Sequence, residues 1–465
     1  MTALADRLAA VLDHLGFQRV FMATQMPGDI DAFSMANLDR VARIALIIPS
    51  RINPDAFAPL AGQVMVLAGE SGIPTDTANA AAPAMPDARQ VRLTGYAATA
   101  WSDIAVEKPS ALCQEMELFF NNLDTLPPLF PERTNGTVAG LTYRVMGSGP
   151  PLVLTPFFLA ASQWEPVLER LASRFTLIIL GGAHIGGVAM LEDRASLPSY
   201  GDMLSSLVKR MQIPEKSQVL EVGCGPAALC RQVLASRPDL ALTGIDANGY
   251  LLREGAAIAA GVGFATRGPD IPLGYTLPPP PFPDAGALRL IEGDATDLPF
   301  ADNSFDAVYS ITVLEECDAD KALAEMARVV RPSGPVGVVV RAVDMPQWWN
   351  LDLPSAIAAK VNGQPQSMSP GAVADRSLYP RMAEAGFRDV QGFPALLTFD
   401  RPDGPIWTYR ASHARGLLDE TEREIWDREY TAMQAAGLLF QANPVHCAVG
   451  WAPSPIGEAA ANHRA

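Results

Sequence analysis

Short apolar runs alternate with amphipathic helical patterns along most of this chain. Runs such as RIALIIP and QVMVLAG are typical of buried strands, whereas LADRLAAVLDHLG repeats its apolar residues with the period of a helix. Strands and helices that alternate in this way indicate parallel sheets with helices on both faces. The pattern therefore predicts an α/β protein, and its breaks divide the chain into blocks at residues 1–125, 126–200 and 201–465.

The third block contains a strand, a glycine turn and a helix in QVLEVGCGPAALCRQVLA. Gly223 and Gly225 allow a sharp turn and let a ligand approach the backbone closely. The next strand ends at Asp246, where a carboxylate can accept hydrogen bonds from ribose hydroxyls. The same spacing fits a dinucleotide fingerprint, so a nicotinamide-dependent oxidoreductase is one alternative.

A third feature disfavours the oxidoreductase. LRLIEGDATDLPFADNSFDAVYS adds a strand, an acidic turn and another strand, and a nicotinamide-dependent enzyme would not need this acidic turn. With these motifs, residues 217–340 resemble the class I S-adenosylmethionine-dependent methyltransferases, in particular those acting on quinones, sterols and natural products. The resemblance implies a Rossmann-like sheet with one antiparallel edge strand, for which HCAVGWAP is the candidate. It also implies S-adenosylmethionine as the cofactor.

The resemblance assigns cofactor contacts position by position. They are Glu221, Gly223 and Gly225 at the methionine moiety, Asp246 with Ala247 at the ribose, Asp294 and Ala295 at the adenine, and Ser310 beside the methyl group. One departure concerns catalysis, since Glu316 stands where the family often has a histidine.

The catalytic residue is left open by the sequence. A general base is needed only if the acceptor loses a proton, and the candidates are Glu315, Glu316, His413 and His446. The alternative for the two glutamates is that their charges cap the next helix. The alternative for His446 is that it is a structural histidine.

The acceptor pocket is expected within residues 341–445, where tryptophans are frequent. Trp348, Trp349 and His446 are the predicted acceptor-binding residues, because aromatic rings suit a flat apolar molecule. The alternative is that the aromatic residues are plain core. An insertion at residues 264–287 contains four consecutive prolines and is interpreted either as a surface loop or as a lid.

The first two blocks resemble the two halves of an α/β-hydrolase in swapped order. In that register Gln25 stands at the nucleophile, Gly72 at the acid and Tyr96 at the histidine. Pro156 lies in the oxyanion loop and has no N–H to donate. We therefore expect one circularly permuted, catalytically dead hydrolase-like domain, acting either as a scaffold or as a substrate-binding cap.

The composition of the chain narrows the classes of partner that it can bind. A net charge of −16 argues against nucleic acid and against anionic membrane surfaces, and no apolar run is long enough to span a bilayer. Five scattered cysteines favour neither a metal site nor disulfides, and are typical of a reducing cytoplasm. The favoured function is methyl transfer to a small, partly apolar acceptor. A binding or regulatory protein with both folds silent is the other alternative, and the oligomeric state is left open.

Overall fold

The computed structural model describes residues 3–98, 102–120, 126–128, 130–270, 286–363, 371–402 and 404–453. The chain divides into two compact units, Met1–Ala189 and Met190–Ala465, which we call the first and second unit. That the blocks 1–125, 126–200 and 201–465 correspond to domain boundaries stays a prediction. Among the described residues, no helix is both long enough and apolar enough to cross a membrane.

The strands of the first unit form a single sheet in the order β4-β3-β2-β1-β7-β8-β6-β5. Along this order, neighbouring strands from β4 as far as β8 are parallel. Strand β6 is antiparallel to β8, and β5 is antiparallel to β6. The strands are β1 Val20–Thr24, β2 Val41–Ile47, β3 Val64–Ser71, β4 Arg89–Ala97, β5 Asn135–Val138, β6 Leu141–Met146, β7 Pro151–Leu154 and β8 Thr176–Gly181.

Apolar residues of the first unit are buried on both faces of this sheet. The helix at residues 4–15 shows why, because its buried leucines and valine recur with the helical period. It ends where Gly16 adopts φ +78°, a left-handed conformation that glycine takes without strain. The helices are α1 Leu4–Leu15, α2 Asp31–Ala36, α3 Pro54–Phe57, α4 Ile73–Ala81, α5 Ile104–Glu107, α6 Pro109–Phe120 and α7 Glu165–Ala172.

The second unit has a sheet in the order β11-β12-β10-β9-β13-β14-β17, with β15 and β16 also paired to β17. The strands from β11 to β14 are parallel, so their carboxyl ends meet at one edge. The strands are β9 Gln218–Val222, β10 Ala241–Asp246, β11 Thr266–Asp270, β12 Leu288–Glu292, β13 Ala307–Ile311, β14 Pro335–Arg341, β15 Trp348–Trp349, β16 Arg388–Phe399 and β17 Gln441–Trp451.

The predicted antiparallel strand is present, but it is not an edge strand. HCAVGWAP lies largely in β17, which is antiparallel to β14 as expected. The prediction of an edge position is wrong, because β16 pairs along the other side of β17.

Helices cover both faces of the second sheet, and apolar residues pack beneath them. The helices are α8 Gly186–Ala195, which runs across the division between the units, α9 Pro198–Met211, α10 Ala228–Ser236, α11 Gly249–Gly261, α12 Ala319–Val329, α13 Ser355–Val361, α14 Leu378–Glu384, α15 Pro405–Gly416 and α16 Glu420–Ala435. The first part of the predicted insertion is β11, paired with β12. Residues 271–285, which carry the prolines of the lid hypothesis, lie outside the described residues.

Candidate cofactor site

The turn after β9, residues 223–227, is built around two glycines and is called the glycine turn below. Gly223 has φ +73° and Gly225 has φ +54°, so both adopt left-handed conformations. A Cβ on Gly223 would lie 2.1 Å from the Val313 Cγ2, a distance that no side chain tolerates. The turn leads directly into α10, whose first backbone N–H groups have no partner within the helix. This geometry leaves the backbone open to a ligand at the carboxyl edge of the sheet.

Asp246, the last residue of β10, is tied to this turn. Its Oδ2 accepts a hydrogen bond from the Gly225 N–H at 2.8 Å, and its Oδ1 accepts one from the Asn248 N–H at 2.8 Å. Burial raises the pKa of the Asp246 carboxyl, although both hydrogen bonds oppose that effect. The carboxylate is therefore held in place at the edge between β9 and β10.

The acidic turn after β12 lies one strand further along the same edge. Its Asp294 is exposed and accepts hydrogen bonds at Oδ1 from the N–H and the hydroxyl of Thr296, at 2.7 and 2.8 Å. In register, Glu292 at the end of β12 pairs with Asp246. The structure thus brings together, at neighbouring strand ends, most of the cofactor residues expected from the sequence: Gly223, Gly225, Asp246, Ala247, Asp294 and Ala295.

Glu221 and Ser310 are placed differently from the others. Glu221 is 2% exposed, and its Oε2 accepts hydrogen bonds from the Cys230 thiol and the Tyr309 hydroxyl, each at 2.8 Å. Burial raises its pKa to about 7. The Ser310 hydroxyl is fully buried and donates to the Val222 carbonyl at 3.0 Å. Glu221 thus joins β9 to α10 and β13, Ser310 joins β13 to β9, and direct cofactor contact by these two side chains stays a prediction.

No motif in the sequence points to Thr312, which follows β13. Its φ is +56°, which is rare for a β-branched residue. Its N–H donates to the Val339 carbonyl at 2.8 Å. The conformation turns the chain so that Val313 closes on the glycine turn, and strained backbone of this kind is concentrated at functional sites.

Glu315 has a buried carboxyl near the same edge. It is 1% exposed, its Oε1 accepts from the Arg341 N–H at 2.8 Å, and its Oε2 has no hydrogen-bond partner among the described residues. Burial raises its pKa to about 7. The expectation that Glu315 or Glu316 caps the next helix is wrong, because α12 begins one residue after Asp318, whose side chain accepts from the Lys321 N–H.

The three predicted acceptor residues do not come together. Trp348 is 50% exposed, whereas Trp349 is 2% exposed and packs edge-on against Trp407 and Trp426. The two tryptophans diverge because successive side chains of a strand point to opposite faces. His446 lies away from Trp349, since its strand neighbours pack in the core cluster that contains Trp349.

The ring of His446 is held on both sides. Its Nε2 lies 2.7 Å from Asp344 Oδ1, and its Nδ1 lies 3.1 Å from the Tyr379 hydroxyl. His413, the other histidine candidate for a base, is exposed in the last turn of α15. The structure favours a structural histidine at position 446.

A cleft of about 690 Å³ lies beyond the end of β14. Residues 343–346 and part of α13 line it, and Asp344 is among them. None of the predicted cofactor residues belongs to this lining, so we do not place the cofactor there.

In the first unit, Gln25 follows β1 and is 3% exposed. Its Oε1 accepts a hydrogen bond from the Phe158 N–H at 3.1 Å. Pro156 in the loop after β7 has no N–H, but the chain turns so that the N–H of Phe158, two residues later, points at Gln25.

The other two positions of the expected hydrolase register, Gly72 and Tyr96, hold neither a carboxylate nor a histidine. Gly72 has φ +101°, and a Cβ there would lie 2.0 Å from the Ala98 carbonyl oxygen, so a carboxylate side chain does not fit. The Tyr96 hydroxyl donates to Glu107 Oε2 at 2.6 Å, and burial raises the pKa of that hydroxyl.

Comparison with known proteins finds a family and several relatives that are similar to part of the second unit. Residues 220–338 match the family described as "Methyltransferase domain". A sterol 24-C-methyltransferase of Neurospora crassa is 29% identical over 133 residues, which cover 28% of this chain and 30% of the relative. A demethylmenaquinone methyltransferase of Paenarthrobacter aurescens is 37% identical over 137 residues, covering 25% of this chain and 54% of the relative.

Among solved structures, the geranyl diphosphate C-methyltransferase of Streptomyces coelicolor A3(2), in complex with S-adenosyl-L-homocysteine, aligns with 54% of this chain and 76% of its own. Its identity is 11% and its TM-score 0.30. The chain spans between about a third and about half of the length of the two curated relatives.

The family match, the two curated relatives and the site geometry agree. The second unit contains a class I S-adenosylmethionine-dependent methyltransferase domain, and S-adenosylmethionine is its cofactor. The described residues fit that group, because Asp246 stands at the strand end beside the glycine turn, where its carboxylate can accept hydrogen bonds from ribose hydroxyls.

Proposed function

We propose that this protein transfers the methyl group of S-adenosylmethionine to a small, partly apolar acceptor molecule. The observation that carries the proposal is the hydrogen bond from Gly225 to Asp246, which joins the glycine turn to a carboxylate at the carboxyl edge of parallel strands. This is the position at which α/β sheets bind their ligands. The sterol and quinone relatives support a small acceptor with apolar character.

In this proposal each cofactor residue has one task. The glycine turn holds the methionine moiety by its backbone, Asp246 accepts hydrogen bonds from the ribose hydroxyls, and the turn at Asp294 and Ala295 borders the adenine. Glu221 and Ser310 keep β9, α10 and β13 in register beneath them. S-adenosylmethionine supplies a methyl group on a good leaving group, so the protein chiefly aligns the acceptor and excludes water.

We assign no general base. Glu315 has a pKa of about 7, which suits proton transfer at neutral pH. Its carboxyl is enclosed, however, and one of its oxygens is engaged by the Arg341 N–H. An acceptor that loses no proton in the reaction needs no base.

For the first unit we infer a catalytically silent, circularly permuted α/β-hydrolase-like domain. Support comes from the sheet order, in which the strand before Gln25 lies beside β7. In α/β-hydrolases the nucleophile follows such a strand, and an N–H from the loop after the third strand faces it. Phe158 supplies a comparable N–H to Gln25. The chain order of the strands is then a rotation of the hydrolase order.

The proposed activity is tested with the full chain and methyl-labelled S-adenosylmethionine. Acceptors are a demethylated quinone, a sterol and a long-chain fatty acid, and Gly223→Ala serves as the inactive control. We expect label in at least one acceptor and none with the control. Cofactor bound without turnover on any acceptor would favour the binding or regulatory alternative. NADH bound in place of S-adenosylmethionine would favour the oxidoreductase.

A further inference from the structure

The second unit holds an arginine that has no carboxylate partner among the described residues. The Arg410 guanidinium on α15 lies 4.0 Å from the centre of the Phe399 ring, and its Nη1 is 3.5 Å from Gln441 Oε1. Its Nε is buried and has no hydrogen-bond partner in the described part of the chain. Burial lowers the pKa of Arg410 to about 10. Arg410 as a whole is half-buried, but a guanidinium whose Nε is withdrawn from water without a counter-charge is costly, and such groups are normally paired.

Two further arginines face the same place. The positive charges of Arg194 on α8 and Arg341 at the end of β14 both act on Arg410 and disfavour its charged form. Arg194 lies over the Tyr200 ring, at 5.3 Å from its centre. Arg341 has Glu315 at 3.8 Å, through Nε and Oε1. We call these three guanidinium groups, of Arg194, Arg341 and Arg410, the arginine cluster; the carboxyl group of Glu315 lies near one of them, Arg341.

Two neutral polar groups near the cluster are also unsatisfied. Trp349 is 2% exposed and Asn443 is 3% exposed, and the Trp349 Nε1 and the Asn443 Oδ1 have no hydrogen-bond partner among the described residues. Trp349 pairs in register with Gln441, the residue that contacts Arg410. Asn443 follows two residues later and therefore lies on the same face of β17. Buried polar groups without partners are rare, and several of them close together are a pattern that a polar ligand can satisfy.

The arginine cluster lies beside the glycine turn, as contacts of α8 show. A Cβ on Gly225 would lie 3.5 Å from the Leu191 side chain. Glu192, the next residue, pairs with Arg231, which also donates to the carbonyl of the glycine turn at residue 226. Arg194 is one helical turn beyond Leu191 on α8.

Contacts of the residues that follow β13 also put the arginine cluster beside the glycine turn. Val313 closes on Gly223, and Glu315, two residues later, accepts from the Arg341 N–H. The contacts of α8 and those of the residues after β13 both put the arginine cluster at the carboxyl edge of the sheet, next to the predicted cofactor residues.

We propose that the methyl acceptor carries an anionic group, a carboxylate or a phosphate on an apolar body, and that Arg410 binds this group with Arg194 and Arg341 beside it. A guanidinium matches both anions with a pair of parallel hydrogen bonds. The rings of Phe399 and Trp349 suit the apolar body. This inference rests on the proposed methyltransferase function, and it concerns recognition of the anion, whichever atom receives the methyl group.

The test is calorimetric titration of the full chain with decanoate, decyl phosphate and decanol, with and without S-adenosylhomocysteine. We expect one or both anions to bind at least tenfold more tightly than decanol, and their order decides between carboxylate and phosphate. Arg410→Met should weaken anion binding at least tenfold and leave decanol and S-adenosylhomocysteine unchanged. Arg410→Lys should keep part of the anion binding. The matched control is Arg415→Met, on the same helix but exposed and paired with Asp427.

A stability measurement separates binding from a structural role. If Arg410 serves a ligand, Arg410→Met removes a half-buried charge that has no carboxylate partner among the described residues, and it should raise the melting temperature. If it serves the fold, the melting temperature should fall. Equal binding of decanoate, decyl phosphate and decanol, or unchanged anion binding by Arg410→Met, would overturn the inference. Failure of the wild type to bind S-adenosylhomocysteine would contradict the methyltransferase function instead, and the titrations without it would still decide on the anion.

Discussion

The Asp246 Oδ2 and the Gly225 N–H are joined by a hydrogen bond of 2.8 Å. It links the end of β10 to the turn after β9, so the two parts of the cofactor site hold each other in place. The carboxylate keeps its remaining acceptor positions for a ligand, because each carboxylate oxygen can accept more than one hydrogen bond. The site is therefore largely formed by the chain itself.

Gly223 should tolerate no side chain. Gly223→Ala places a Cβ 2.1 Å from Val313 at a φ of +73°, and overpacking together with backbone strain should cost about 1–3 kcal/mol of stability. S-adenosylhomocysteine binding should also fall at least tenfold. Thermal unfolding and titration measure the two effects.

The matched control is Gly261→Ala, at the end of α11, where nothing lies within 4 Å of the added Cβ. It should leave binding unchanged and be neutral or slightly stabilising. Normal binding by Gly223→Ala would show that the turn does not contact the cofactor.

The first unit should have no esterase activity. Gln25→Ser introduces a hydroxyl opposite the Phe158 N–H, but Tyr96 holds its proton because burial raises its pKa and its hydroxyl donates to Glu107. Without a base the serine is not activated. Hydrolysis of p-nitrophenyl acetate by wild type and Gln25→Ser should match that of Gln25→Ala. Turnover above this control in the wild type would show that the hydrolase register is wrong.

Stability should depend on pH through Glu315. Its folded pKa is raised from 4.5 to about 7, so the folded state binds the proton more tightly than the unfolded state. The resulting stabilisation is full below about pH 4.5 and is lost as the pH rises through about 7. Glu315→Gln should therefore raise stability relative to the wild type by about 3 kcal/mol near pH 8 and change little near pH 4.5.

Denaturant unfolding at several pH values measures this difference, with the exposed neighbour Glu316→Gln as the control. A stability gain for Glu315→Gln that is the same at all pH values would contradict a buried, protonated carboxyl.

Much of the cofactor site follows from the sequence, because it depends on local order. A strand, a glycine turn and a helix place Gly223 and Gly225, and the next strand end places Asp246. These features need no knowledge of distant contacts. The same is true of the position of Gln25 after β1.

The remainder depends on packing between distant segments. Arg194, Arg341 and Arg410 are far apart in the chain and converge only when α8, β14 and α15 pack together. The burial of Glu221 and Ser310 follows from which face of the sheet α10 and β13 cover. Trp348 and Trp349 are adjacent in sequence, yet they separate because they lie on opposite faces of a short strand.

The most direct test of the account is calorimetric titration of S-adenosylmethionine into the wild type and Asp246→Ala. Losing charge-assisted hydrogen bonds to the ribose should weaken binding by roughly 2–3 kcal/mol. The exposed Asp352→Ala serves as the control and should bind like the wild type. Equally tight binding of S-adenosylmethionine by Asp246→Ala and the wild type would contradict the assigned cofactor site, as would a wild type that binds NADH tightly and S-adenosylmethionine not at all.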